Sequence, residues 1–179
     1  MGIFSWFNSL RRVNSSADYY QKGLHLGRQK KLREAVDHFT EALKISPSFV
    51  QARIARANTY FLMEEWDQAI SDFSTILEAY PGSVDALIGR ASIYASKAAS
   101  LVERYNKMGG KQYQLSFEEI NMPMNQLLKS VNPEKAMWIR LTNTLMELQF
   151  AVKQDAEKAI KLDPNNKIAN DLMKNLSLQ

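Results

Sequence analysis

Two histidines, His25 and His38, are the side chains best suited to exchange a proton near neutral pH. Neither stands in a metal-ligand spacing such as H-E-x-x-H, and each falls within a stretch of helical periodicity, so both read as ordinary surface or packing residues. Cysteine is absent, which removes disulfides, thiolate metal sites and a thiol nucleophile. Gly109-Gly110-Lys111 is a fragment of a phosphate loop at most, because the further glycine and the magnesium-holding Ser or Thr are missing. The acid pairs Glu64-Glu65 and Glu118-Glu119 stand where helices are expected to start, and carboxylates there complement the helix dipole. Nothing in this set calls for catalysis, a metal or a cofactor. The chemistry to expect is recognition.

Recognition needs a scaffold, and the composition allows one. Hydrophobic residues make up 45% and charged residues 23% of the 179, ordinary for a globular chain able to bury roughly two-thirds of its unfolded surface. The net charge of +4 is unevenly spread: residues 1–49 hold 8 Lys/Arg against 4 Asp/Glu, and residues 50–100 hold 4 against 6. Arg11, Arg12, Arg28, Lys30, Lys31 and Arg33 carry this excess. They suit an anionic membrane or an acidic partner, or they are a solvated helix end and turn. They are not interleaved with aromatics as a single-strand nucleic-acid platform would be, so no nucleic-acid partner is expected. No apolar run approaches the ~20 residues that span a bilayer, the N-terminus lacks the pattern of a secretory leader, and Trp6 stands where myristoylation wants Ser or Thr. A cytoplasmic location is the expectation, with a membrane surface as an alternative contact.

The elements are written in duplicate. "EAVDHFTEALKISPSFV" (34–50) and "DQAISDFSTILEAYPGSV" (67–84) align at one offset: Ala35 to Ala69, Phe39 to Phe73 and Pro47 to Pro81 each differ by 34. Upstream, Tyr19-x2-Lys22-Gly23-x2-Leu26 answers to Arg53-x2-Arg56-Ala57-x2-Tyr60. A period of 34 with A-x3-F and a terminal proline resembles the tetratricopeptide repeat, a pair of antiparallel helices. Gly23, Ala57, Ala35 and Ala69 are small where helix axes approach to ~8–10 Å; Phe39 and Phe73 fill the space between repeats; Pro47 and Pro81 stop the second helices. Lys22 and Arg56 depart from the pattern's Leu, and their stems are expected to cover apolar surface while the charge reaches water.

A third copy starts on schedule with Leu87-x2-Arg90-Ala91-x2-Tyr94, yet its closing proline is Pro164 rather than a residue near 115, an excess of 164 − 115 = 49. An insertion over about 99–148 splits it. Apolar steps from Ala91 to Met108 extend the first helix to Gly109-Gly110, and Asn132-Pro133-Glu134 opens another that runs to Asp163. Between them Ser116-x2-Glu119 reads as a capping box, interrupted by Pro123. The arm carries Met122 and Met124, as core filler or as an adaptable contact surface. A last helix over about 166–177 would cap the stack. The expected fold is all-α: about three repeats over 16–179, the third split by a helical insertion, with a C-terminal capping helix.

In the family the first helices line a concave groove. The resemblance therefore implies a binding surface at Tyr20, Ile54 and Ile88, then Leu24, Asn58 and Ser92, then Gly27, Phe61 and Ala95. It would hold an extended peptide or amphipathic helix of a partner protein, with Asn58 pairing to the ligand backbone. One branch of the family grips a C-terminal carboxylate through Lys and Asn on the first helix; Tyr20 and Leu24 stand there, so that clamp is missing. Ile3, Trp6, Phe7 and Leu10 form an apolar face ahead of Arg11 and Arg12 within an N-terminal segment, 1–15. That segment could lie on a membrane, contact a partner, fill the chain's own groove or stay disordered. The function expected is an adaptor or scaffold, with self-association through the arm, or membrane scaffolding through residues 3–12, as the competing readings.

Overall fold

The computed structural model describes residues 15–176, so the contacts expected of Ile3 to Arg12 lie outside the described residues. Nine helices and no strand make up the described chain. It divides between Pro81 and Gly82 into two compact units.

The first unit holds α1 (Ser16–Arg28), α2 (Leu32–Ile45), α3 (Val50–Leu62) and α4 (Trp66–Ala79). Ser15 caps α1: its hydroxyl accepts the Asp18 amide at 3.1 Å, and the Asp18 carboxylate accepts the Ser15 amide at 2.9 Å. α1 packs on α2, α2 on α3 and α3 on α4. The small residues do what their size predicts. Gly23, Ala35, Ala57 and Ala69 are all buried, and a Cβ on Gly23 would come within 2.5 Å of the Phe39 ring. Phe39 and Phe73 are each 2% exposed. Both turns between paired helices pass through a left-handed residue, Lys30 (φ 62°) and Glu64 (φ 59°), 34 positions apart.

Arg56 does more than the expected covering of apolar surface. Its side chain is 17% exposed, and its guanidinium is engaged on three sides: Nε and Nη2 donate to the two Asp72 carboxylate oxygens at 2.8 and 2.7 Å, and Nη1 donates to Thr40 at 3.0 Å. Asp72 is 4% exposed, so the pair ties α3 to α4, and the Thr40 bond ties both to α2. Asp72 in turn holds the Arg56 proton more tightly than usual.

The second unit holds α5 (Val84–Lys107), α6 (Phe117–Ile120), α7 (Met124–Ser130), α8 (Pro133–Leu162) and α9 (Lys167–Leu176). The repeat period survives the insertion. Helices α1, α3 and α5 start at 16, 50 and 84, and α9 starts at 84 + 34 + 49 = 167. Helix α5 runs 11 residues past the end expected at 62 + 34 = 96, and α8 starts 16 before the start expected at 66 + 34 + 49 = 149. The insertion thus enters at the turn between paired helices, where residue 98 corresponds to Lys30 and Glu64. The left-handed residue is displaced to Gly109 (φ 72°). The Arg–Asp pair is kept as well: Arg90 Nε and Nη2 donate to Asp155 at 2.7 and 2.8 Å, tying α5 to α8.

The expected caps of the arm are present. Ser116 and Glu119 form a capping box on α6, Pro123 separates it from α7, and the Asn132 side chain accepts the Lys135 amide at the start of α8. The arm has its own interior, with Tyr105, Leu127, Ala136 and Ile139 buried, and the Tyr105 hydroxyl donates to the Lys111 carbonyl. The two methionines part company: Met122 is half-buried, whereas Met124 is exposed. Helix α9 packs on α8 and α5, as a cap must.

Candidate functional site

Helices α1 and α3 of the first unit lie side by side with a cleft of about 500 Å³ between them. The period of 34 puts matching faces of the two helices on the same side. Their stripes supply the walls: Tyr20, Leu24, Gly27 and Arg28 from α1, and Gln51, Ile54, Asn58 and Leu62 from α3. Phe39 closes the floor from α2. Steps of three and four along each helix bring these residues to one face.

Five of the expected groove residues therefore meet around one cavity: Tyr20, Leu24, Gly27, Ile54 and Asn58. Tyr20 does two jobs. Its ring packs on Phe39 at 6.0 Å and Phe49 at 5.1 Å, against the core formed by Ala42, Leu43 and Ala52, and one edge reaches the cleft. Phe61 is not part of this lining; it makes an edge-on contact with Trp66, with centroids 5.5 Å apart. Ile88 and Ser92 belong to α5 in the second unit, where Ile88 is 9% exposed and Ser92 half-buried.

The polar members have hydrogen-bonding capacity to spare. Asn58 is exposed and makes no side-chain hydrogen bond to the described residues. Its carboxamide offers a donor and an acceptor side by side, the complement of a peptide group. Arg28 is the one charged residue of the lining, and no described carboxylate pairs with it. A Cβ added to Gly27 would meet nothing within 4 Å, so the missing side chain is open space in the cleft. Arg28, Gln51 and Leu62 were not expected as groove residues. The signal existed, since each continues its helix's stripe three or four positions from Leu24, Ile54 or Asn58.

The histidines lie outside this lining. His25 is exposed and accepts from the Gln29 amide at 2.8 Å, and His38 stacks beside Tyr19 with centroids 5.8 Å apart. Among the described residues no three His, Asp or Glu side chains are grouped to hold a metal ion. No described helix is long and apolar enough to cross a membrane.

Residues 28–91 match the tetratricopeptide repeat family. No curated protein matches the chain. Solved structures match it in fold at low identity. The Arabidopsis OM64 tetratricopeptide domain is 18% identical, with 92% of this chain and 95% of that one aligned and a TM-score of 0.59. The first such domain of Spaghetti (RPAP3), bound to the HSP90 peptide SRMEEVD, is 16% identical over 93% and 96%, with a TM-score of 0.58. The second such domain of human RPAP3, in complex with the HSP70 peptide SGPTIEEVD, is 13% identical over 90% and 94%, with a TM-score of 0.57.

Proposed function

We propose that this chain, whose residues 28–91 match the tetratricopeptide repeat, is a binding module, an adaptor that holds a peptide or short amphipathic helix of a partner protein between α1 and α3. The observation that carries this reading is the cleft itself, apolar at Tyr20, Leu24, Ile54 and Leu62 and edged by Asn58 and Arg28. Ligand sites of a few hundred Å³ are built this way, an apolar surface with a few placed polar groups. The apolar side chains of the ligand supply most of the affinity by leaving water. Asn58 fixes its backbone. Arg28, with Lys30 and Lys31 close behind in sequence, favours an acidic residue at that end of the ligand.

Two of the solved relatives hold chaperone peptides ending in EEVD. In this chain Tyr20 and Leu24 occupy the positions of the carboxylate-gripping Lys and Asn, so the reading is a ligand recognised through apolar anchors plus one acidic contact, rather than through its terminal carboxylate. A cytoplasmic site of action and a membrane or partner contact through Ile3 to Arg12 are part of the same reading. Fractionation of cells expressing the chain with and without residues 1–12 tests both.

The direct test is selection from a random peptide library against the full chain, followed by anisotropy titrations of the selected peptides. Peptides with two apolar residues and a nearby acid are expected. Gly27→Leu places a side chain in the open space of the cleft and should abolish binding with the fold intact. Leu24→Glu should weaken it at least tenfold, because the carboxylate loses water beside apolar ligand atoms. Raising the salt concentration should weaken the contact with Arg28. Selected peptides that bind the Gly27→Leu chain equally well would end this assignment.

A further inference from the structure

The lengthened hairpin of the second unit leaves a seam that its capping helix covers only in part. The described part of helix α9 has 10 residues against 24 in α5 and 30 in α8, roughly 15 Å against 36 and 45 Å at 1.5 Å per residue. Along α5 and α8 beyond the described part of α9, the described residues leave the seam open. A cleft of about 520 Å³ starts at Leu172 and Leu176 of α9 and continues between Ala98 and Val102 of α5 and Leu145 and Val152 of α8. A second, of about 470 Å³, shares Val102, Asn106 and Leu145 with the first. It ends at Tyr113 and Trp138, whose rings lie 6.0 Å apart. Together they form one trough, which along α5 runs from Ala95 to Asn106, about 16 Å.

Two observations define what fits it. The first is continuity: the neighbouring stretch of the same seam already seats a helix, α9, with Ala169 buried and Leu172 and Met173 half-buried. The second is charge. Among the residues lining both clefts, Glu103 is the one carrying a charge at neutral pH, and Lys107 engages it at 2.6 Å. The other polar groups there are carboxamides, hydroxyls and an indole. A charged side chain laid on this surface would lose water and gain no counter-ion, whereas an apolar one would gain contact with Ala98, Val102 and Leu145.

The geometry points to a second docking site, for an amphipathic helix of a partner protein about three turns long, uncharged on its contact face and laid end to end with α9. It owes nothing to the cleft of the first unit. The insertion creates it, because Val102, Asn106, Trp138 and Leu145 all belong to the stretch it adds.

The probe is a labelled synthetic peptide of Asn166–Leu176, the helix native to this seam, titrated into the full chain and followed by anisotropy. Saturable binding is expected, little affected by salt and unchanged by Gly27→Leu in the chain. Val102→Arg and Ala99→Arg, both at exposed positions, should each weaken it at least tenfold, and Leu172→Lys in the peptide should do the same. Absence of binding, or binding indifferent to both chain variants, would overturn the assignment. Self-association of the chain that Val102→Arg abolishes would give the trough to a second copy. Binding that appears only after removal of residues 177–179 would give it to the chain's own end. Either result overturns the partner helix.

Discussion

At the scale of residues, two Arg–Asp pairs each join the two helices of one repeat. Arg56 meets Asp72 and Arg90 meets Asp155, each through two hydrogen bonds of 2.7–2.8 Å. The carboxylates are nearly buried, at 4% and 5% exposed. Removing one partner strands the other charge, which costs about 3–5 kcal/mol in buried pairs. Arg90 keeps some contact with water, so Asp155→Ala should cost about 3 kcal/mol in urea denaturation, the low end of that range. The double variant Arg90→Met with Asp155→Leu should lie within about 1 kcal/mol of the parent, because a matched apolar pair also satisfies the site. The first repeat has Lys22 and His38 at the same two positions and no carboxylate. There Lys22 lies 5.8 Å from the Tyr19 ring, which stands beside His38. The left-handed residues give a prediction of the opposite sign. Glu64→Gly relieves a backbone conformation that costs a side chain about 1–2 kcal/mol, against a smaller entropic loss, and should raise stability by up to about 1 kcal/mol.

At the scale of elements, one carboxylate joins two helices of the arm. Glu119 accepts two bonds from Lys135 Nζ, at 2.7 and 2.8 Å, and one from the Ser116 amide at 2.8 Å. It fastens the short α6 to α8. The Lys135 contact foremost, then the Ser116 amide, lowers the Glu119 pKa below its ordinary value of 4.5. A carboxylate lowered in the folded state contributes stability that is present above its unfolded pKa and lost as pH falls through the folded one. Hydrogen exchange at residues 116–120 should therefore be slow at pH 6 and accelerate, after correction for intrinsic rates, as pH drops below 4.5. Lys135→Met should speed it at pH 6 and flatten that dependence. A profile unchanged by Lys135→Met would show that other contacts hold α6. The capping box at Ser116 and the Asn132-Pro133 start could be read from the sequence, because capping is local. The contact between Glu119 and Lys135 could not, since it depends on how the segment folds back onto α8.

At the scale of the whole molecule, the insertion is an added unit rather than a replacement. The buried residues of the arm, among them Tyr105, Leu127 and Ile139, lie within the inserted stretch, so removing it removes its core as well. Replacing residues 97–148 with the turn Met63-Glu64-Glu65 of the second repeat should give a chain that is still fully helical by circular dichroism. It should unfold in one cooperative transition, keep the cleft between α1 and α3 and lose the trough. A chain that no longer folds would mean that the lengthened hairpin is needed to complete the third repeat.

The sequence by itself determined the repeat, its period, the split in the third copy, a last helix over about 166–177 and the caps of the arm. These rest on interactions between residues a few positions apart, or on a pattern that recurs because each hairpin must bury the same face. Only the tertiary structure decided which groups share a site. Asp72 is as visible in the sequence as Arg56, yet nothing local says that they meet. Tyr20 turns one face into the core, Arg28 and Leu62 join the cleft, and Phe61 is engaged by Trp66. The seam along α5 and α8 follows from the lengths of two helices set by separate parts of the chain. Each such outcome depends on side chains distant in sequence competing for the same space, and close packing of the folded chain settles that competition.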